Sequence, residues 1–177
     1  MKTFQHKSLL ALVALLFPFT ACTKALNVDN TPIPTLDINR YLGRWYEVAR
    51  FDHRFERGLD NSTADYTFND DGTVRVENTG WTGSEWKTSI GKAKTTDQLA
   101  LLRVSFFGPF FSDYRVLMLD DNYRMALVGG SSDKYLWILS RTPDPDGVLL
   151  TKVLKEAERR GYNTNLLLWV NQDMNRQ

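Results

Sequence analysis

Gly43 is a turn residue, and the run behind it, Arg44-Trp45-Tyr46-Glu47-Val48-Ala49-Arg50-Phe51, is β-prone with alternating faces. The same pattern recurs over 62–68, 73–79, 85–94, 101–107, 114–119, 125–128 and 135–140, each piece bounded by turn chemistry. Asn69-Asp70-Asp71-Gly72 is a strong hairpin signal among them. Short strands in meander order leave two exposed edges unless the sheet closes on itself. The expected fold class is therefore all-β, an eight-stranded antiparallel up-and-down barrel. The 177 residues suit one domain with a full core, and no internal repeat is present.

A different period takes over after Pro143. Asp144 can cap a helix and Pro145 suits its first position. Leu150, Val153, Leu154 and Ala157 then share one stripe, and Gly161 stops the helix after Lys155, Arg159 and Arg160. This C-terminal α-helix is expected to pack outside the barrel, followed by a short strand over 166–170 and a polar tail over 172–177. Ahead of the first strand, Leu36, Ile38, Tyr41 and Leu42 allow one helical turn that would plug one end. The barrel unit, with its helix and final strand, is placed at 36–171.

The single cysteine, Cys22, excludes an intrachain disulfide, and its neighbours indicate its use. Lys2 and Lys7 precede a short apolar run over 9–17, too short to span a bilayer comfortably. Residues 1–21 therefore have the form of a signal peptide. Phe19-Thr20-Ala21-Cys22 resembles a bacterial lipobox, with phenylalanine in place of the usual leucine. That resemblance implies an acylated Cys22, and more than one acyl chain gives durable anchoring. Thr23, rather than aspartate, follows it, which favours the outer membrane, with the protein facing the periplasm. The other reading is an ordinary secretory signal that leaves a free thiol. Residues 22–35, with Asn27, Asp29, Asn30, Pro32 and Pro34, are expected to form a tether.

Eight strands enclose space for side chains or for one small ligand. Alternation puts Tyr66 and Phe68 on one face, as it does Val74, Val76 and Asn78, and Leu102, Val104 and Phe106. Tyr114, Val116 and Met118 follow the same rule, as do Tyr135, Trp137 and Leu139. The opposite faces carry Asp65, Thr67, Arg75, Glu77, Arg103 and Ser105. The inner wall is thus aromatic and aliphatic, suited to a hydrocarbon chain whose polar end stays near the mouth.

Several function classes are disfavoured. Lys+Arg number 22 against 21 Asp+Glu, with no basic cluster interleaved with aromatics, which argues against nucleic acid. Once the signal is removed, His53 is the one histidine left, so no catalytic residues, no metal site and no cofactor are assigned. Most carboxylates fall on outer faces and turns. Glu47 is the exception, since parity puts it on the Trp45 face, where pairing with an arginine is expected.

Gly43-Arg44-Trp45-Tyr46-Glu47, together with Trp137-Ile138-Leu139-Ser140-Arg141, resembles the signature of the lipocalins. Ser105-Phe106-Phe107-Gly108-Pro109-Phe110 and Phe51-Asp52-His53-Arg54-Phe55-Glu56-Arg57-Gly58 resemble the bacterial, apolipoprotein D-like branch, whose members are outer-membrane lipoproteins. The family's Thr-Asp-Tyr motif is only partly kept, around Asp120 and Tyr123. The resemblance implies structural roles for Gly43, Trp45 and Arg141, with Arg141 stacked over Trp45. It implies ligand contacts at Tyr66, Asn78, Phe106 and Trp137, to which the alternating faces add Tyr114 and Leu139. The implied cargo is a fatty acid or lysophospholipid, carried without catalysis. His53, Arg54 and Arg57 are candidate partners for its headgroup. Phe106, Phe107, Phe110 and Phe111 gather at the mouth, where an apolar patch suits lipid entry, membrane contact or a homodimer interface. Two other readings stand beside the carrier. One is an envelope interaction module with a side-chain-filled barrel, and the other is a lipid-modifying lipocalin enzyme.

Overall fold

The computed structural model describes residues 27–176, so the signal peptide and Cys22 lie outside the described residues. A short helix α1 (Ile38–Tyr41), capped by the Asp37 carboxylate, leads into β1 (Gly43–Phe51). The meander continues through β2 (Asp60–Phe68), β3 (Val74–Trp81), β4 (Trp86–Thr95) and β5 (Leu101–Phe107). It ends with β6 (Phe110–Leu119), β7 (Met125–Gly129) and β8 (Leu136–Ser140). Each strand pairs antiparallel with the next, β8 pairs with β1, and β1 pairs with β2, so the sheet closes. Helix α2 (Gly147–Arg159) and the short β9 (Leu167–Trp169) follow.

Closure sorts the apolar residues into two clusters. Inside the barrel lie Trp45, Tyr66, Val74, Val76, Leu102, Val116, Val128 and Leu139, plugged from below by Leu36 and Tyr41. Outside it, Leu117, Leu127, Leu136 and Ile138 pack under Leu149, Val153 and Ala157 of α2. The cap of α2 is Asp146, not Asp144: its Oδ1 accepts from the Val148 and Leu149 amides at 2.9 and 3.0 Å. The helix therefore starts two residues later than expected, and Leu149 joins its buried stripe while Leu150 and Leu154 are half-buried.

The segments expected as a tether and as a polar tail are both bonded to the barrel in their described parts. Asn30, buried, donates to the Gly130 carbonyl at 2.6 Å and accepts from the Tyr162 hydroxyl at 3.0 Å. Arg160 bonds the carbonyls of Asp29, Thr31 and Leu117, and the Ile33 amide donates to Val116. The tether expected over 22–35 is thus, from 27 onward, a strap: its backbone groups find partners on β6 and on Arg160 just past α2 despite its polar composition. Likewise the tail expected at 172–177 closes the seam where β1 and β2 diverge. Gln172, 1% exposed, donates to both the Glu47 and Ser62 carbonyls at 2.8 and 2.9 Å. Asn61, in left-handed backbone (φ 53), accepts at its side chain from the Met174 amide.

Candidate functional site

The strand directions give the barrel two unlike ends. α1 and the turns after β2, β4 and β6 lie at one; the loops after β1, β3, β5 and β7 lie at the other. The first end is sealed. Trp45 is fully buried and its indole donates to the Tyr41 carbonyl at 2.8 Å. The Arg141 guanidinium sits 3.9 Å from the Trp45 ring centroid and donates to the carbonyls of Arg40, Tyr41, Arg44 and Tyr123. Gly43 adopts φ +90, and a Cβ there would stand 3.4 Å from the Arg141 guanidinium. Left-handed backbone and close approach both suit glycine at that position.

Above this plug three phenols meet. Tyr114 bonds the hydroxyls of Tyr41 at 2.7 Å and Tyr66 at 3.0 Å. Burial raises the pKa of all three, so they stay protonated. Three hydroxyls carry three protons and two bonds use two, which leaves one donor for another acceptor.

Bulges decide what else faces inward. Between Glu47 and Ala49 the β1–β8 register shifts, so Val48 and Ala49 both pack outward and Arg50 turns to the same side as Glu47. Arg50 Nη1 lies 2.6 Å from Glu47 Oε1 with both side chains buried, and Arg50 Nη2 donates to the carbonyls of Glu56 and Leu59. This is the arginine partner expected for Glu47. Simple parity would have sent Arg50 to the outer face. A second bulge after Val116 moves Met118 out of the inner face, where alternation had put it, into the cluster under α2.

The loop after β1, residues 52–59, folds over the mouth. His53 Nε2 lies 2.9 Å from Glu56 Oε2, and the Trp137 indole donates to the same oxygen at 2.9 Å. Tyr135 stacks on Trp137 with an interplanar angle of 11°, and His53 packs edge-on against Trp137. Burial, reinforced by the charge of Glu56, pushes the Glu47 carboxyl up to about 8, against the pull of Arg50. Glu56 meets a burial penalty too, but its bonds from His53 and Trp137 and the Arg50 charge outweigh it and hold its pKa low. The surroundings thus push the proton affinities of the two acids in opposite directions.

The expected ligand residues fall together on the inner wall. Tyr66 and Leu139 are in the barrel core, and Val104, Phe106, Tyr114 and Trp137 pack against it while remaining partly exposed. Asn78 faces the same space, its Oδ1 buried without a partner, as are Arg50 Nε and His53 Nδ1. Of the three candidate headgroup residues, only His53 turns inward. Arg57 pairs with Asp52 in solvent, and Arg54 lies 4.8 Å over the Phe55 ring. Of the four phenylalanines at the mouth, Phe106 lines the wall, Phe107 and Phe110 project into solvent, and Phe111 is half-buried under Lys94. Arg50, Glu56 and Tyr41 join the site without having been singled out for it. The paired His53 and Glu56 at i, i+3 were the available signal for one of them. Among the described residues, no group of His, Cys, Asp and Glu could hold a metal.

A family model described as a lipocalin-like domain matches residues 36–172. An outer membrane lipoprotein, Blc, of Citrobacter freundii is 46% identical over 167 residues, covering 92% of this chain and 94% of that one. Its namesake in Escherichia coli K12 is 48% identical over 146 residues, covering 80% and 82%. Among solved structures, insecticyanin from the tobacco hornworm Manduca sexta superposes with a TM-score of 0.68 at 18% identity, covering 81% of this chain and 84% of that one.

Proposed function

The chain belongs to the lipocalin-like family, whose members are generally binding proteins, and from that premise we propose that it is a lipid carrier of the cell envelope. Its cargo is a fatty acid or lysophospholipid, held by its acyl chain above the tyrosine floor and carried without chemical change. The observation that carries this reading is the mouth half of the inner wall. There Val104, Phe106 and Trp137 keep partial exposure, beside the unpartnered Asn78 Oδ1, Arg50 Nε and His53 Nδ1. Buried polar atoms without partners cost about 1–3 kcal/mol each, and a phosphate or carboxylate would supply an acceptor to Arg50 Nε. Tyr66 and Tyr114 form the floor, and Leu139 packs beside them.

The lipobox-like Phe19-Thr20-Ala21-Cys22 supports a signal peptide over 1–21 and acylation at Cys22. Relatives named as outer membrane lipoproteins favour that membrane, with the barrel on the periplasmic side. The test is titration of delipidated protein with fluorescent lysophospholipid, following tryptophan quenching, with mass spectrometry of the lipid afterwards. Saturable one-to-one binding, weakened in Trp137→Ala and Tyr66→Ala, is expected, with the lipid recovered intact. Binding indifferent to both substitutions would place the cargo outside the barrel, and a converted lipid would make the protein an enzyme.

A further inference from the structure

The strap over 27–36 has a direction. Its start lies beside Gly161, and Asn30 is tied to Gly130, just past the mouth end of β7. Further on, Ile33 bonds Val116 in β6, and the Asp37 amide donates to the Tyr123 hydroxyl in the turn after β6, at the sealed end. The described chain therefore begins at the mouth end of the barrel. Cys22 is five residues before Asn27, a reach of at most about 18 Å.

The same end gathers four exposed aromatic side chains, while the sealed end has Phe68. Phe110 is 79% exposed, Phe107 71%, Phe55 57% and Trp86 46%, from three different loops of the rim. Arg54 and Lys134 add exposed cations beside them, among the exposed acids Asp52, Asp60 and Glu85. The sealed end has Asp70 and Asp121 exposed in its turns, with Asp71 paired to Lys92 and Asp120 to Arg124. Exposed aromatic rings on one rim are the chemistry of a surface that enters the headgroup layer.

We propose that the barrel docks mouth-first on a phospholipid bilayer, the rim of Phe55, Trp86, Phe107 and Phe110 entering the headgroup layer and the strap setting the orientation. The carrier reading supplies the lipid anchor on which this rests. Docked this way, the cargo passes between membrane and barrel without its acyl chain crossing water.

The test is hydrogen exchange of the acylated protein in phosphatidylethanolamine/phosphatidylglycerol vesicles. Amides over 53–58 and 106–111 are expected to slow about fivefold or more on vesicles, with 70–73 and 120–124 unchanged. Equal protection of both ends, or of the sealed end alone, overturns the proposal. So does rim protection that is the same without vesicles and rises with protein concentration, which would make the partner a second copy. The double variant Phe107→Ser/Phe110→Ser is expected to abolish the slowing while leaving lysophospholipid titration in solution unchanged. Loss of that titration in the unaltered protein would sink the carrier instead. Mass spectrometry and vesicle flotation check the anchor beforehand. A chain without acyl groups overturns the anchor, and the rim is then read on the same chain coupled through its Cys22 thiol to a maleimide phospholipid.

Discussion

The two halves of this barrel share the same strands but use their aromatic residues in opposite ways. At the sealed end Trp45 and Tyr41 are buried, and every polar atom of the Arg141 guanidinium has a backbone carbonyl. At the mouth Phe106 and Trp137 keep partial exposure, and buried polar atoms of Asn78, Arg50 and His53 lack partners. The signature that identifies the fold is thus concentrated where packing is complete. The residues able to meet a cargo lie where packing is left unfinished. Stability and binding are separated along the barrel axis.

That separation can be broken by substitution. The largest effect is expected from Trp45→Ala: loss of a fully buried indole should cost about 3–5 kcal/mol in denaturant unfolding. Surviving molecules should bind lysophospholipid normally. Trp137→Ala is expected to do the reverse, weakening binding about tenfold or more while costing only about 1 kcal/mol of stability. A comparable loss of stability in both variants would erase the distinction between the halves.

A smaller effect tests the cluster at the mouth. The Glu47 carboxyl titrates near 8 in the folded protein, above its ordinary value of 4.5. Its folded-state pKa is raised, so the unfolded chain gives up this proton first. Its contribution is fully present below about 4.5 and fades as pH rises toward about 8. Thermal unfolding of Glu47→Gln should lose this decline between those pH values; an unchanged slope would assign it to another group. The least effect belongs to Arg57→Ala. Its partner Asp52 is likewise in solvent, so stability should change by less than about 0.5 kcal/mol, and titration should be unaltered. A clear loss of affinity would restore Arg57 as a headgroup contact.

Much of this architecture was legible in the residues. Alternation located all eight staves because each strand buries one face, and β5 matched its expected bounds. The inward placement of Tyr66, Asn78, Phe106, Tyr114, Trp137 and Leu139 follows from the same period of two. What escaped was whatever depends on an extra residue or a distant bond. Parity counts fail beyond Val48 and beyond Leu117, where bulges shift the register, so Arg50 and Met118 exchange sides. The strap has the composition of a loose linker, and its order comes from Asn30 meeting Gly130 and Tyr162, partners a hundred or more positions away. The cap of α2 was misplaced by two residues because Asp144 and Asp146 have the same chemistry, and only the backbone around Asp146 points its carboxylate at the free amides.

The bulge at Val48 has a consequence for how such a container can change its contents. Pairing the same residues without that bulge would restore strict alternation, turn Arg50 toward the outer wall and leave Glu47 without its arginine, whereas deleting Val48 would keep Arg50 inside. One extra residue, with no exchange of amino-acid type, thus lets two neighbouring outward side chains be followed by an inward arginine, and the lining keeps its pair of opposite charges.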